Sequence, residues 1–330
     1  MRKTTVLALA LALAGLAPIQ AGALDILLTN DDGFFNPGIT TLRAALCGAG
    51  HHVTMVAPAT NQSGRGGSIN TGALSSSSAM SLTKLSSDAC GDVYSLAAPV
   101  APGTYGGTPV DSMKAGLQIL LAGDPPDLIV SGNNFGQNLG KPTSNGSGTV
   151  GAALQGAFEG IPSIAGSVGI IFAESGAGFP STIAAFPSAA DFMVRVIAAL
   201  EAEPGDELLP QGVKLLNINF PVPYPSITGV AITRLADRSE LELPLFDRNV
   251  GFPPFGIPGN PGQLNCATLS VGQACSVGVG IRFVTGPDAE RVADTDVFAA
   301  GLISITPMDG DMTSRGAGNA LYGILSGLTP

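Results

Sequence analysis

The sequence predicts an α/β fold, a Rossmann-like parallel sheet with helices on both faces, plus a C-terminal extension with strands. Three observations predict it. Short, continuous apolar runs recur along the chain, and such runs suit strands that are buried on both faces. Between them lie segments with helical periodicity, so strands and helices alternate, as in a sheet built through helical crossovers. Beyond about residue 240 the pattern changes to Gly- and Pro-dense chain at 248–276, followed by strand-like IRFVT and GLISITP.

In chain order, residues 1–23 read as a secretory signal peptide. MRK is a basic start, VLALALALAGLA is an apolar run, and Ala21-Gly22-Ala23 is a small-residue cleavage site. The run is too short to span a bilayer, and no later stretch reads as the roughly 20 apolar residues a span needs. The expectation is an exported protein, periplasmic or secreted, with no membrane segment and a mature chain that starts near Leu24.

ILLT (26–29) is the first strand. Asn36-Pro37 then starts a helix with Ile39, Leu42 and Leu46 on one face, closed by Gly48 and Gly50. HVTMVAP (52–58), DLIVSG (127–132), IPSIAGS (161–167) and VKLLNINFP (213–221) are further strands. Helices are expected from Thr149 and around 188–202. The Rossmann-like core is taken as 24–240 and the extension, assigned to oligomerisation, as 241–330.

Fifteen Lys and Arg face 25 Asp and Glu, a formal charge of −10, which loss of Arg2 and Lys3 with the leader makes −12. Such a surface excludes nucleic-acid tracking and anionic membranes as partners. It admits a small anionic substrate if a bound cation bridges the two. The four cysteines of an exported chain point to disulfides. Three connectivities are open, and proximity in sequence favours Cys47–Cys90 with Cys266–Cys275.

Ligands of an open parallel sheet bind outside the carboxyl ends of its strands. Three polar loops begin at such ends. The first holds Asn30, Asp31, Asp32 and Gly33; the second Asn61, Ser63 and Gly64; the third Asn134 and Asn138. Two carboxylates, a hydroxyl and amide carbonyls form a hard-oxygen set suited to Mg²⁺, Mn²⁺ or Ca²⁺. A cation there offsets the repulsion between Asp31 and Asp32, which otherwise read as an acidic turn. Ser147, Gly148 and Thr149 open a helix, where unpaired N–H groups favour an anion; Ser147 alone reads as an ordinary N-cap.

The segments NDDG-x4-G-I, VAPATNQSG, GTPVD, PDLIVSGNNFGQNLG, SGTVGAALQG, NINFP and TDVFAAGLISITP occur in the order seen in the survival protein SurE family. The chain resembles that family densely over 24–167, patchily to 240, and again at 295–307. The resemblance implies a metal-dependent 5′/3′-nucleotidase or broader phosphomonoesterase. It places the metal ligands on Asp31, Asp32, Ser63 and Asn134, with Asp31 and Asp32 catalytic. It aligns Asn30, Asn138, Ser147 and Thr149 with the phosphate pocket. It also implies Mg²⁺ or Mn²⁺ and a homodimer or homotetramer exchanging C-terminal elements. The chain departs from the family's pattern at Asn133, in KPTSNG between NLG and SGT, in its leader, and in the Cys-bearing insertion.

Rival readings fare worse. His51 and His52, the only histidines, enter the second strand, and no G-x-S-x-G elbow is present. GQNLGKPT is one residue short of a P-loop and runs into Pro142. SLTK and SGN resemble two motifs of penicillin-recognising serine enzymes, but no KTG follows. The alternative of a different class is an exported cation- or phosphate-binding protein whose site performs no chemistry.

Overall fold

The computed structural model describes residues 22–70, 80–97, 107–205, 207–223, 227–239, 241–247, 270–271, 278–283, 288 and 292–311. The first strand, β1 (Asp25–Thr29), is buried from Ile26 onward. It leads through the acidic turn into α1 (Pro37–Gly48). The Asn36 side chain caps α1 by accepting from Gly38 N–H at 2.8 Å, and Ile39, Leu42 and Leu46 are buried, as the periodicity requires. Then follow β2 (His52–Pro58), β3 (Ser81–Asp88), β4 (Gly91–Ala97), α2 (Pro109–Ala115), β5 (Leu128–Phe135), α3 (Gly140–Gly146) and α4 (Gly148–Phe158). The chain continues through β6 (Ser163–Val168), α5 (Pro180–Glu201), β7 (Leu215–Phe220), β8 (Gly229–Ile232), β9 (Leu241–Asp247), β10 (Gly278–Phe283), α6 (Asp294–Ala299) and β11 (Leu302–Met308).

Nine strands form one sheet in the order β3-β4-β2-β1-β5-β6-β7-β11-β8. The six from β4 to β7 are parallel to one another; β3 pairs antiparallel with β4, and β11 antiparallel with β7. From β1 the chain winds outward through β2 to β4. It then returns to β5 on the other side of β1 and winds away through β6 and β7. That reversal between the neighbours β1 and β5 opens a crevice at their carboxyl ends, where α/β sheets bind ligands.

The core lies on both faces of this sheet. Ile26, Leu28 and Val130 meet Leu42, Phe186, Met193 and Ile197 on the α1–α5 face. Leu27, Val56 and Ile129 meet Met113 and Ala152 on the α2–α4 face. Truncating a fully buried ring such as Phe186 to Ala costs about 3–5 kcal/mol. By length and apolar composition α5 could cross a membrane, a stretch the sequence reading passes over. Its buried residues, among them Ala185, Phe186, Ala189 and Met193, instead pack in this core.

The β3–β4 hairpin, α3 and the place of β11 in the main sheet were not foreseen, although GLISITP was read as a strand. The β3–β4 hairpin forms one edge of the sheet, and β3 is exposed along nearly all its length. An edge strand in water carries charge and hydroxyls instead of an apolar run. KPTSNG folds into α3. After residue 300, β11 inserts between β7 and β8, so the main sheet takes in chain well past the boundary near 240; β9 and β10 pair as a separate antiparallel ribbon. The structure joins Cys47 at the end of α1 to Cys90 in the β3–β4 turn, with Cα atoms 5.5 Å apart. Cys266, Cys275, residues 1–21 and most of 248–276 lie outside the described residues.

Candidate active site

Asn30, Asp31 and Asp32 leave the carboxyl end of β1 and are 0 %, 3 % and 4 % exposed. Asp31 faces the start of α4: it accepts from Thr149 Oγ1 at 2.7 Å, and the Gly148 and Thr149 backbone N–H groups lower its proton affinity. A Cβ at residue 148 would lie 2.8 Å from Asp31 Cβ and 3.0 Å from its Oδ2, so glycine lets the helix approach the carboxylate this closely. Asp32 faces the neighbouring loops, accepting from Phe135 N–H at 2.8 Å and from Asn61 Nδ2 at 3.0 Å. Gln62 N–H donates to the Asp31 carbonyl at 2.6 Å, which lays the loop after β2 across the acidic pair.

Burial dominates the electrostatics. It raises the proton affinity of Asp31, against the lowering effect of the Thr149 hydroxyl and the helix N–H groups. Burial and the adjacent Asp31 charge push Asp32 up to about 7, against the bonds from Phe135 and Asn61. Two neighbouring carboxylates kept out of water strongly favour anything that neutralises them.

A hard divalent cation fits this donor set. Asn30 donates its Nδ2 to Gly33 O at 3.0 Å, and its Oδ1 is a buried acceptor without a donor. Asn134 donates its Nδ2 to Gly136 O at 2.7 Å, leaving its Oδ1 as the remaining polar atom of the amide. Ser63 is exposed on the loop that crosses the pair; its N–H is held by Asn61 Oδ1 at 2.8 Å. Among the described residues no three His, Cys, Asp or Glu side chains cluster; the donors these loops offer are carboxylate, amide and hydroxyl oxygens. The site therefore brings together Asp31, Asp32, Asn134 and the Ser63 loop.

The residues aligned with phosphate divide. Thr149 is buried against Asp31, and Ser147 Oγ accepts from Val150 N–H at 3.1 Å as an N-cap, so the helix start is already engaged by protein groups. Asn138 is buried in a polar network: its Nδ2 donates to Ser167 Oγ at 2.9 Å and its N–H to Asn219 Oδ1 at 2.7 Å. Its carbonyl accepts from Asn217 Nδ2 at 2.9 Å and Asn219 Nδ2 at 3.2 Å.

Ser167, Asn217 and Asn219 were missed as site residues, although two asparagines at alternate positions of an apolar strand are a legible signal of a polar strand end. Asp294 was missed as well. Fully buried, it accepts from Gly140 N–H at 2.9 Å and Ala236 N–H at 2.8 Å, fastening the start of α3 and the chain after β8 to the start of α6. The histidines sit at the opposite, amino ends of the strands. His51 Nδ1 accepts from Leu24 N–H at 3.2 Å, and His52 lies 3.0 Å from Asp25.

The family model for Survival protein SurE matches residues 26–242. The 5'-nucleotidase SurE of Gloeobacter violaceus is 35 % identical over 292 residues, covering 87 % of this chain and 90 % of its own length. The 5'/3'-nucleotidase SurE of Yersinia enterocolitica is 34 % identical over 300 residues, 89 % of this chain and 94 % of its own. The crystal structure of the SurE protein from Aquifex aeolicus superposes with a TM-score of 0.63 at 28 % identity, covering 91 % of this chain and 98 % of that one. With the family match spanning most of the core and relatives aligned along most of their lengths, this chain belongs to the survival protein SurE family.

Proposed function

We propose that the protein is a phosphoric monoester hydrolase of the nucleotidase type. It acts on nucleoside monophosphates with the help of a divalent cation, Mg²⁺ or Mn²⁺ foremost and Ca²⁺ next. The observation that carries this reading is the pair of adjacent buried carboxylates, Asp31 and Asp32, set at the β1–β5 crevice beside the start of α4. The nucleotidase names of the aligned relatives support it.

Asp31, Asp32, Ser63 and Asn134 would hold the cation, which supplies Lewis acidity toward a phosphoryl oxygen when bound. Asp31 orients the attacking water and takes its proton at the oxygen that Thr149 does not hold, a role suited to a carboxylate whose proton affinity burial has raised. Asn138, whose Nδ2 keeps one hydrogen beyond its bond to Ser167, donates to a phosphate oxygen. Asn30 and Ser147 would line the phosphate pocket, as the family alignment implies.

The leader directs the chain to export, and the mature protein acts in the periplasm or outside the cell as a homodimer or homotetramer. Light scattering of the purified mature chain reads the last point, and a monomer contradicts it. Turnover of a nucleoside monophosphate panel, with and without chelator, tests the activity. Chelator-sensitive phosphate release is expected. Binding of cation or phosphate without turnover returns the protein to the non-catalytic alternative.

A further inference from the structure

We infer that Phe35 is a specificity-determining residue: its exposed ring, standing beside the Thr60–Asn61 backbone at the mouth of the acidic site, stacks on the nucleobase of the substrate. The inference rests on the nucleotidase reading and deepens it, because it commits the site to phosphomonoesters that carry an aromatic base.

Three rings lie close to the acidic turn, and two belong to the interior. Phe34 packs against the α1–α5 core. Phe135 packs on Phe179 and Phe186, with ring centroids 5.5 and 5.8 Å away. Phe35 is left 65 % exposed. Among the described residues its ring contact is a T-shaped one with Phe34, centroids 5.3 Å apart.

Exposure alone decides nothing, since Phe158 is 53 % exposed and Ile119 69 % exposed elsewhere on the surface. Position sets Phe35 apart. A Cβ built on Gly33 would lie 3.6 Å from the Phe35 ring, 3.4 Å from Thr60 C and 3.6 Å from Asn61 N. The ring and the Thr60–Asn61 backbone therefore both border Gly33. Gly33 itself has φ +100°, a conformation that favours glycine, and so the chain turns tightly between Asp32 and the ring. From the same loop Asn61 reaches Asp32 at 3.0 Å. The ring is thus one loop residue removed from the carboxylate that would hold the cation.

The rest of that rim is polar: Thr60, Asn61, Gln62 and Ser63. A phosphate fixed at the carboxylates of a nucleoside monophosphate leaves its base one pentose away, where an apolar planar surface is the complementary partner. Aromatic faces bind bases by stacking and are tolerant of base identity. The chemistry accordingly fits purine and pyrimidine nucleotides alike, and disfavours base-free sugar phosphates.

The test compares wild type with Phe35→Ala, Phe35→Leu and Phe35→Trp on adenosine and cytidine monophosphates against ribose 5-phosphate and glycerol phosphate. At an exposed position all four proteins should fold alike, which circular dichroism checks. Phe35→Ala and Phe35→Leu should raise KM for the nucleotides by about five- to a hundredfold, with kcat nearly unchanged, because stacking binds ground and transition states equally. KM for the base-free phosphates should stay put, and Phe35→Trp should restore nucleotide KM. Equal effects on both substrate groups, or none, overturn the inference. So does a change of oligomeric state with selectivity intact, which would make the ring a subunit contact. A wild type that hydrolyses no phosphomonoester overturns the nucleotidase reading itself and this inference with it.

Discussion

Thr149 Oγ1 donates to Asp31 Oδ1 at 2.7 Å across 118 residues of sequence, tying the first strand's acidic turn to the fourth helix. The bond is fully buried, and Asp31 already has its proton affinity raised by burial. Thr149→Val keeps the shape and removes the donor. It should destabilise the fold by about 1–3 kcal/mol, the cost of leaving a buried polar group short of a partner, and should lower turnover at least tenfold. Thr149→Ser should recover most of both. Denaturant titration and steady-state kinetics of the pair decide it, and a fully active Thr149→Val would detach this bond from the chemistry.

Asp32 makes stability depend on pH in a stated direction. Its proton affinity in the folded chain is pushed up to about 7, above the ordinary value of 3.8. Between roughly pH 4 and pH 7 the folded state therefore binds more protons than the unfolded state. Stability contributed by the protonated form is present below pH 4 and is lost as pH rises toward 7. In chelator the wild type should lose more stability between pH 5 and pH 8 than Asp32→Asn does. Added Mn²⁺ should reverse the trend for wild type, because a cation binds the ionised pair and competes with protons. Parallel pH profiles for the two proteins in chelator would refute the assignment.

The Cys47–Cys90 disulfide closes a loop of 43 residues around the second strand and the edge hairpin. Chain-entropy reasoning assigns such a loop about 4 kcal/mol before strain is subtracted. These two thiols should be unreactive after unfolding without reductant, and the double Ala variant should unfold at lower denaturant. Peptide mapping under the same conditions also tests the pairing of Cys266 with Cys275. Two labelled thiols at Cys47 and Cys90 would contradict the bridge.

Asp294 has the same kind of reach. Its carboxylate accepts from Gly140, Ala236 and Thr295 N–H groups while burial raises its proton affinity. Asp294→Asn turns one acceptor into a donor facing N–H groups. It should destabilise by about 2–4 kcal/mol and raise KM for phosphate monoesters, since Gly140 follows directly on Asn138 and Leu139. An unchanged KM in a folded variant would show that the loop does not depend on this anchor.

The legible parts of the fold are those where burial writes a period into the chain. β1, β2 and β5 are apolar runs, and α1 shows Ile39, Leu42 and Leu46 on one face. The acidic pair was legible because two adjacent carboxylates at a buried strand end demand a neutralising partner. The β3–β4 edge was not, since SLTKLSSD has nothing to bury. Asp294 was illegible for a different reason: its partners are backbone N–H groups, which leave no mark on the residues that supply them. The helix start at Ser147 was recognisable, but sequence could not tell that the Thr149 hydroxyl serves Asp31.

If Asp31 and Asp32 hold a cation on which phosphate release depends, Asp32→Asn removes half of its charged ligands. The substitution keeps the side chain's size and removes one charge of the pair. Turnover of a nucleoside monophosphate is measured for wild type and variant in chelator and across a Mn²⁺ titration, with circular dichroism confirming the fold. The expected result is a folded variant whose metal-stimulated turnover is lower by orders of magnitude. A folded variant with near-normal metal-stimulated turnover would contradict it.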